Sequence, residues 1–161
     1  MPEAPPPYTT KELLHVLSKV AVDRQRIAVV HYGERNQELT CALERRGGCL
    51  DEFCLYEWLM PEDQRPLDAL VDDVIEGRVD AIAFTSQMCR HLFAIAERGG
   101  RLAELRAALQ TRLIVAAMGP VCEAALRSHG VIPDVLPSQP RMGSLVTALA
   151  DYVELRDDSG D

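Results

Sequence analysis

The chain has 161 residues, 47% of them hydrophobic and 26% charged, which suits one ordinary globular domain with a single core rather than a disordered chain. Seventeen basic against 25 acidic residues leave a formal net charge of -8, which argues against non-specific attraction to nucleic acid or to an anionic membrane. An anionic ligand has to be gripped by local amides and a few placed arginines against that field, which salt screens over roughly 8 Å.

No run approaches the roughly 18 consecutive apolar residues of a membrane span, and the opening residues MPEAPPPYTTKE lack a charged-then-apolar signal pattern, so a cytoplasmic location is expected. The five cysteines, Cys41, Cys49, Cys54, Cys89 and Cys122, are odd in number and form no C-x-x-C pair. They read as reduced thiols, neither a disulfide framework nor a zinc site. His15, His31, His91 and His129 are scattered, so no metal is expected.

Residues 1–8 are proline-rich and read as a loose tail. Thr9 or Thr10 then caps a helix with Leu13, Leu14, Leu17 and Val20 on one face and Glu12 in its first turn. A strand from Ile27 to His31 passes through Gly33 into a helix carrying Leu39, Ala42 and Leu43, which ends at Gly47-Gly48. The G-x-G-x-x-G and G-x-x-x-x-G-K-[ST] patterns are absent there. A second strand is expected from Cys49 to Trp58, with Phe53, Leu55 and Tyr56 buried on at least one face. It stops before the turn Met60-Pro61-Glu62-Asp63, and a helix from Pro66 to Glu76 buries Leu67, Leu70, Val71, Val74 and Ile75.

The apolar run Ala81-Ile82-Ala83-Phe84 is the third strand. It breaks at Thr85-Ser86 and resumes at helical spacing with Met88, Leu92, Phe93, Ile95 and Ala96. A short helix from Arg101 to Gln110 leads to a fourth strand, Leu113 to Met118, which ends in Gly119-Pro120-Val121-Cys122-Glu123 at the start of a helix reaching His129-Gly130. A short strand near Asp134 to Leu136 passes through Pro137 and Pro140 to a last helix, Leu145 to Tyr152. This places one α/β domain at 9–154, followed by an acidic tail at 155–161.

Strands alternating with helices predict a parallel five-stranded, flavodoxin-like sheet in the order 2-1-3-4-5, with helices on both faces and right-handed connections. That order brings the loops near Gly33, Ser86 and Gly119 together at the carboxyl edge, where open α/β sheets bind ligands. Free amides at a helix start, with the positive end of its dipole, favour an anion there. The plainer reading of Ser86 is that it caps its own helix. A phosphoacceptor receiver needs an aspartate where Phe84-Thr85-Ser86 stands, and no G-x-S-x-G elbow is present.

Taken as an ordered set, Val29-Val30-His31-Tyr32-Gly33-Glu34, Leu55-Tyr56-Glu57-Trp58, Gly77-Arg78-Val79-Asp80-Ala81 running into Phe84-Thr85-Ser86, Met118-Gly119-Pro120, Gly130 and Gly143-Ser144-Leu145-Val146 resemble uroporphyrinogen-III synthase. The likeness covers about Thr9 to Val153 and corresponds mainly to the C-terminal half of that family, whose two flavodoxin-like lobes exchange segments. It implies a lyase of tetrapyrrole biosynthesis, on the route to heme and siroheme. The reaction is cyclisation of hydroxymethylbilane to uroporphyrinogen III, with ring D inverted and water lost, and it uses no cofactor.

Positioning a flexible polycarboxylate matters more for such chemistry than a strong acid or base. By the resemblance, Tyr56 is the catalytic candidate that assists departure of the hydroxyl. The substrate-binding candidates are Gly33, Glu34, Arg35, Thr85, Ser86, Gln87, Gly119, Pro120, Val121, Cys122 and Arg141. The arginines are also ordinary surface residues on their own showing. Cys122 stands where the family usually carries threonine. It offers a weaker donor, and a second reading makes it a nucleophile.

Half a family length leaves three readings open. One is a synthase built from two copies, a homodimer with or without segment swapping. Another is a non-catalytic regulatory module binding a tetrapyrrole or other polycarboxylate, and the third is a fragment of a longer protein.

Overall fold

A computed structural model describes residues 4–6, 8–31, 33–55, 57 and 59–158. The chain divides into two compact units, Met1–Met60 and Pro61–Asp161.

The first unit contains α1 (Thr10–Leu17), β1 (Arg26–His31), α2 (Gln37–Glu44) and β2 (Cys49–Cys54). The expected cap forms at α1: the Thr9 backbone N–H donates to Glu12 Oε2 at 3.1 Å, and the Thr9 hydroxyl donates to the same carboxylate. Asn36 caps α2 by accepting the Leu39 N–H at 3.0 Å, while its amide donates to Thr10 Oγ1 at 2.7 Å and ties the two helices together. Strands β1 and β2 are parallel, with Val30 opposite Phe53. Alternation turns Ile27 and Val29 inward, where Val22, Val29 and Leu43 form a small core with Leu17, Val20, Leu39 and Leu50. Arg46 crosses back to α1, donating from Nη1 to Leu17 O at 2.7 Å and from Nη2 to Val20 O at 2.6 Å. Leu17 is the last residue of α1 and Val20 lies in the turn that follows it, so the guanidinium ties down the exit of the helix. Gly47 takes φ +82°, and a Cβ there would collide with the Asp23 carboxylate.

A polar knot holds the turn after β1. His31 is buried, and its Nδ1 accepts the Asn36 backbone N–H at 3.2 Å. The proton therefore sits on Nε2, which donates to Glu52 Oε2 at 2.8 Å. Arg35 Nε donates to that same oxygen at 2.6 Å, and Arg35 Nη2 to the other. The hydrogen-bonded Arg35 guanidinium holds the Glu52 carboxyl below its ordinary value of 4.5, partial burial opposing and the His31 bond assisting.

The second unit contains α3 (Arg65–Ile75), β3 (Ala81–Phe84), α4 (Cys89–Arg98), α5 (Leu102–Thr111), β4 (Ile114–Ala117), α6 (Pro120–Ser128) and α7 (Met142–Asp158). Proline opens both α3 and α6, where a missing N–H costs nothing. Strands β3 and β4 pair in parallel from Ala81–Ile114 to Phe84–Ala117. All four residues of β4 are buried. Ile114 and Ala116 pack with Val135 and with Leu145 of α7, and alternation sends Val115 and Ala117 to the opposite face. Helices α5, α6 and α7 all pack on this strand.

The expected single sheet in the order 2-1-3-4-5 is not the arrangement found. The pairs 2-1 and 3-4 form, but as two separate two-stranded sheets with no β1–β3 ladder among the described residues. The expected fifth strand is one parallel bridge, Ala116–Val135. Pro133 and Pro137 bracket it and have no N–H for a ladder. Asp134 compensates, its carboxylate accepting the Val115 N–H at 2.8 Å. Strand β2 stops at Cys54, and Phe53 and Leu55, expected to be buried, are exposed, because the core of the first unit forms on the other face of the pair, against Val29 and Leu50. Helix α7 starts at Met142 and continues to Asp158, taking in the beginning of the expected tail. Tyr32, Tyr56 and Trp58 lie outside the described residues.

Arg46→Met should lower the stability of the first unit by about 1.5–3 kcal/mol, since it removes charge-assisted bonds to carbonyls at the end of α1. Urea unfolding followed by far-UV circular dichroism measures this. Because the Glu52 pKa is lowered in the folded chain, its stabilising contribution is full above 4.5 and is lost as pH falls through the depressed folded value. The urea midpoint of Glu52→Gln should therefore lie below wild type at neutral pH and converge with it in acid.

Candidate active site at the carboxyl ends of β3 and β4

Three stretches far apart in sequence meet in the second unit. The Met118 N–H donates to Phe84 O at 2.9 Å, which sets the turn after β4 beside the turn after β3. Cys122, in the first turn of α6, donates its thiol to Phe84 O at 3.3 Å and to Ser86 O at 3.2 Å. Pro140, just before α7, closes over Gly119, where a Cβ would come within 3.0 Å of the proline ring. The turns carrying Thr85, Ser86 and Gln87, Gly119 to Cys122, and Arg141 therefore share one rim. This is where the chain's strand-to-helix pattern placed it.

The rim offers amides. At α6, Pro120 has no N–H, and the Glu123 N–H makes the first helical bond, to Gly119 O at 2.9 Å. The N–H groups of Val121 and Cys122 have no acceptor within the helix. At the other turn, Ser86 Oγ accepts the Met88 N–H at 3.2 Å, but α4 starts at Cys89 with Met88 as its N-cap and no side-chain cap bond, so Ser86 braces the turn before the helix and does not cap it as expected. Thr85, Val121 and Arg141 are exposed, and Ser86 and Gln87 are half-buried.

Cys122 is 3% exposed, and burial pushes its pKa up. Burial likewise drives the neighbouring Cys89 thiol to about 11, with the charge of Cys122 adding to the effect. Both stay protonated at neutral pH, and Cys122 serves as a donor that clamps two turns. A thiolate nucleophile needs the opposite environment.

Gly33, Glu34 and Arg35 belong to the first unit. Gly33 is buried with φ +86°, a left-handed turn that favours glycine, and Glu34 and Arg35 are exposed. Arg35 is held by Glu52 as described above. Sequence reading passed over His31 and Glu52 as site residues: His31 ends an apolar run, but Glu52 alternates with Phe53 and Leu55, which were expected to be buried, and so read as solvent-facing. Tyr56 lies outside the described residues.

Two depressions in the second unit do not include the turn residues of the rim. One of about 570 Å³ lies at the amino ends of β3 and β4, lined by Asp80, Ala81, Arg112, Ile114, Val153 and Arg156. The other, of about 450 Å³, runs along α7 beside Ser144 and Asp151. Among the described residues no group of three His, Cys, Asp or Glu side chains is placed to hold a metal ion, and no helix is long and apolar enough to cross a membrane.

The profile of the family described as "Uroporphyrinogen-III synthase HemD" matches residues 2–147. A putative uroporphyrinogen-III synthase of Methanothermobacter thermautotrophicus is 33% identical over 147 residues, covering 91% of this chain and 56% of that protein. The uncharacterized protein YjjA of Bacillus subtilis is 30% identical over 147 residues, 91% of this chain and 54% of its own length. The crystal structure of uroporphyrinogen III synthase from the extremely thermophilic bacterium Thermus thermophilus superposes with a TM-score of 0.58 at 29% identity, over 92% of this chain and 56% of that one. A mutant form of the Thermus enzyme gives 0.63, also at 29% identity, over 91% of this chain and 55% of that one. The chain thus spans about half the length of the relatives it matches. With a profile match over most of its residues and a fold similar to the solved synthase, it belongs to the uroporphyrinogen-III synthase family.

Proposed function

We propose that the chain contributes one wall of a cleft that folds hydroxymethylbilane for closure to uroporphyrinogen III, with ring D inverted and water lost. The observation that carries this reading is the convergence of three turns at the carboxyl ends of β3 and β4, with helix-start amides at Val121 and Cys122, in a member of this family. In this reading Thr85, Ser86, Gln87, Gly119, Val121, Cys122 and Arg141 grip side-chain carboxylates of the bilane, and Pro120 shapes the turn that presents the amides. Amides and a helix dipole suit that task in a chain of net charge -8, because they act at short range where the overall field does not cancel them.

Gly33, Glu34 and Arg35 are proposed as a second contact region, with Arg35 exchanging Glu52 for a substrate carboxylate. Tyr56 is proposed as the proton donor to the departing hydroxyl. A phenol is neutral at physiological pH and suits donation. The chemistry needs positioning above all, which is consistent with a ledge of amides and one hydroxyl donor.

A second reading, a non-catalytic module that binds a tetrapyrrole polycarboxylate, is favoured by one observation, the coverage of only 54–56% of the relatives' length. A coupled assay on freshly made hydroxymethylbilane separates the two by scoring isomer III against the spontaneous isomer I. The enzyme reading expects isomer III from wild type and a turnover reduced by roughly 10²-fold or more in Tyr56→Phe. Isomer I alone, together with retained binding of uroporphyrin, supports the module. In either case Cys122→Ala should destabilise the second unit by about 1 kcal/mol in urea unfolding, and Cys122→Ser should recover most of the loss.

A further inference from the structure

The depression of about 570 Å³ at the amino ends of β3 and β4 lies at the other end of these strands from the rim. All of its lining residues belong to the second unit, and packing within that unit fixes its walls. The Ile114 N–H donates to Asp80 O at 3.0 Å and joins the two strand starts. Ala81 and Val153 pack against the core of Ile114, Ala116, Val135 and Leu145. Arg112 Nη1 donates to Ile75 O, at the last residue of α3, at 2.7 Å, so one arm of the guanidinium is held while its other donors stay available. Arg156 follows Val153 by three residues along α7 and shares its face. Among the described residues, the side chains of Arg156 and Asp80 have no hydrogen-bond or ion-pair partner. We propose that this depression binds a small amphipathic carboxylic acid, its carboxylate between Arg112 and Arg156 and its apolar body on Ala81, Ile114 and Val153.

Charge and size select that class. Two arginines and one aspartate make the depression locally positive in a chain of net charge -8. A planar guanidinium already oriented by the end of α3 matches a carboxylate in two-point contact. Asp80 opposes a second acid, which sets this guest apart from the polycarboxylate proposed for the rim. The volume falls in the range of small-molecule sites, and the apolar wall favours a guest with hydrocarbon to bury over a bare inorganic anion.

Titration of the full chain with naphthylacetate, followed by two-dimensional amide NMR, tests the site without any catalytic assay and independently of the bilane reading. Saturable binding is expected, with a dissociation constant of about a millimolar and shifts gathered at Ala81, Ile114 and Val153. The neutral naphthylacetamide carries the same apolar body and should bind roughly tenfold or more weakly. Arg156→Gln, at an exposed position, and Arg112→Gln should each weaken naphthylacetate by a similar factor, and Asp80→Asn should tighten it severalfold. Absence of saturable binding, shifts gathered instead at Val121 and Cys122, equal binding of acid and amide, or indifference to both arginine substitutions overturns the proposal.

Discussion

A parallel strand is satisfied only when its backbone is bonded along an edge and its side chains are covered on both faces. In the second unit β4 meets that condition: it is bonded to β3, bridged to Val135, buried along its whole length and packed by α5, α6 and α7. In the first unit, Val29 of β1 and Leu43 of α2 form the small core with Val22, while Val30 and Phe53 are exposed.

The carboxyl ends of β3 and β4 owe their shape to the same condition. Because β4 is fixed from both sides, the turn that leaves it is fixed as well, and Cys122 can reach both Phe84 O and Ser86 O. Burial keeps this thiol protonated, so the residue holds two turns in register and leaves recognition to backbone amides. A hydroxyl at the same place could make the same bonds. The polar knot of the first unit works by a different route. His31, Asn36 and Glu52 lock the turn after β1 and keep Arg35 paired in the free chain. An anion approaching Arg35 has to compete with Glu52 for its guanidinium.

Much of this was legible from residue order. The cap at Thr9, the prolines that open α3 and α6, the glycine that turns the chain after β1 and the amphipathic spacing of α3 and α4 are local signals. Each acts within a few residues, and each element formed near its expected place. The pairs β1–β2 and β3–β4 followed from the strand–helix–strand pattern. The meeting of the Ser86 and Gly119 turns followed from the same alternation, because parallel neighbours must send their loops to one edge.

Tertiary structure decided what depends on partners distant in sequence. No local pattern says whether β1 lies beside β3, because strand order is settled by which faces find cover, and here the two sheets stay separate. Apolar alternation in β2 predicted burial of Phe53 and Leu55, but alternation reports only which residues could be buried, never whether anything arrives to cover them. His31 and Glu52 drew no notice in the sequence, and only the strand register brings them within 2.8 Å. Residue order by itself determined the elements, their caps and the strand ends at which turns gather. Long-range packing decided which thiol became a clamp, which arginine was already engaged and which apolar residues stayed exposed, because each of these depends on contacts between segments that the chain alone does not bring together.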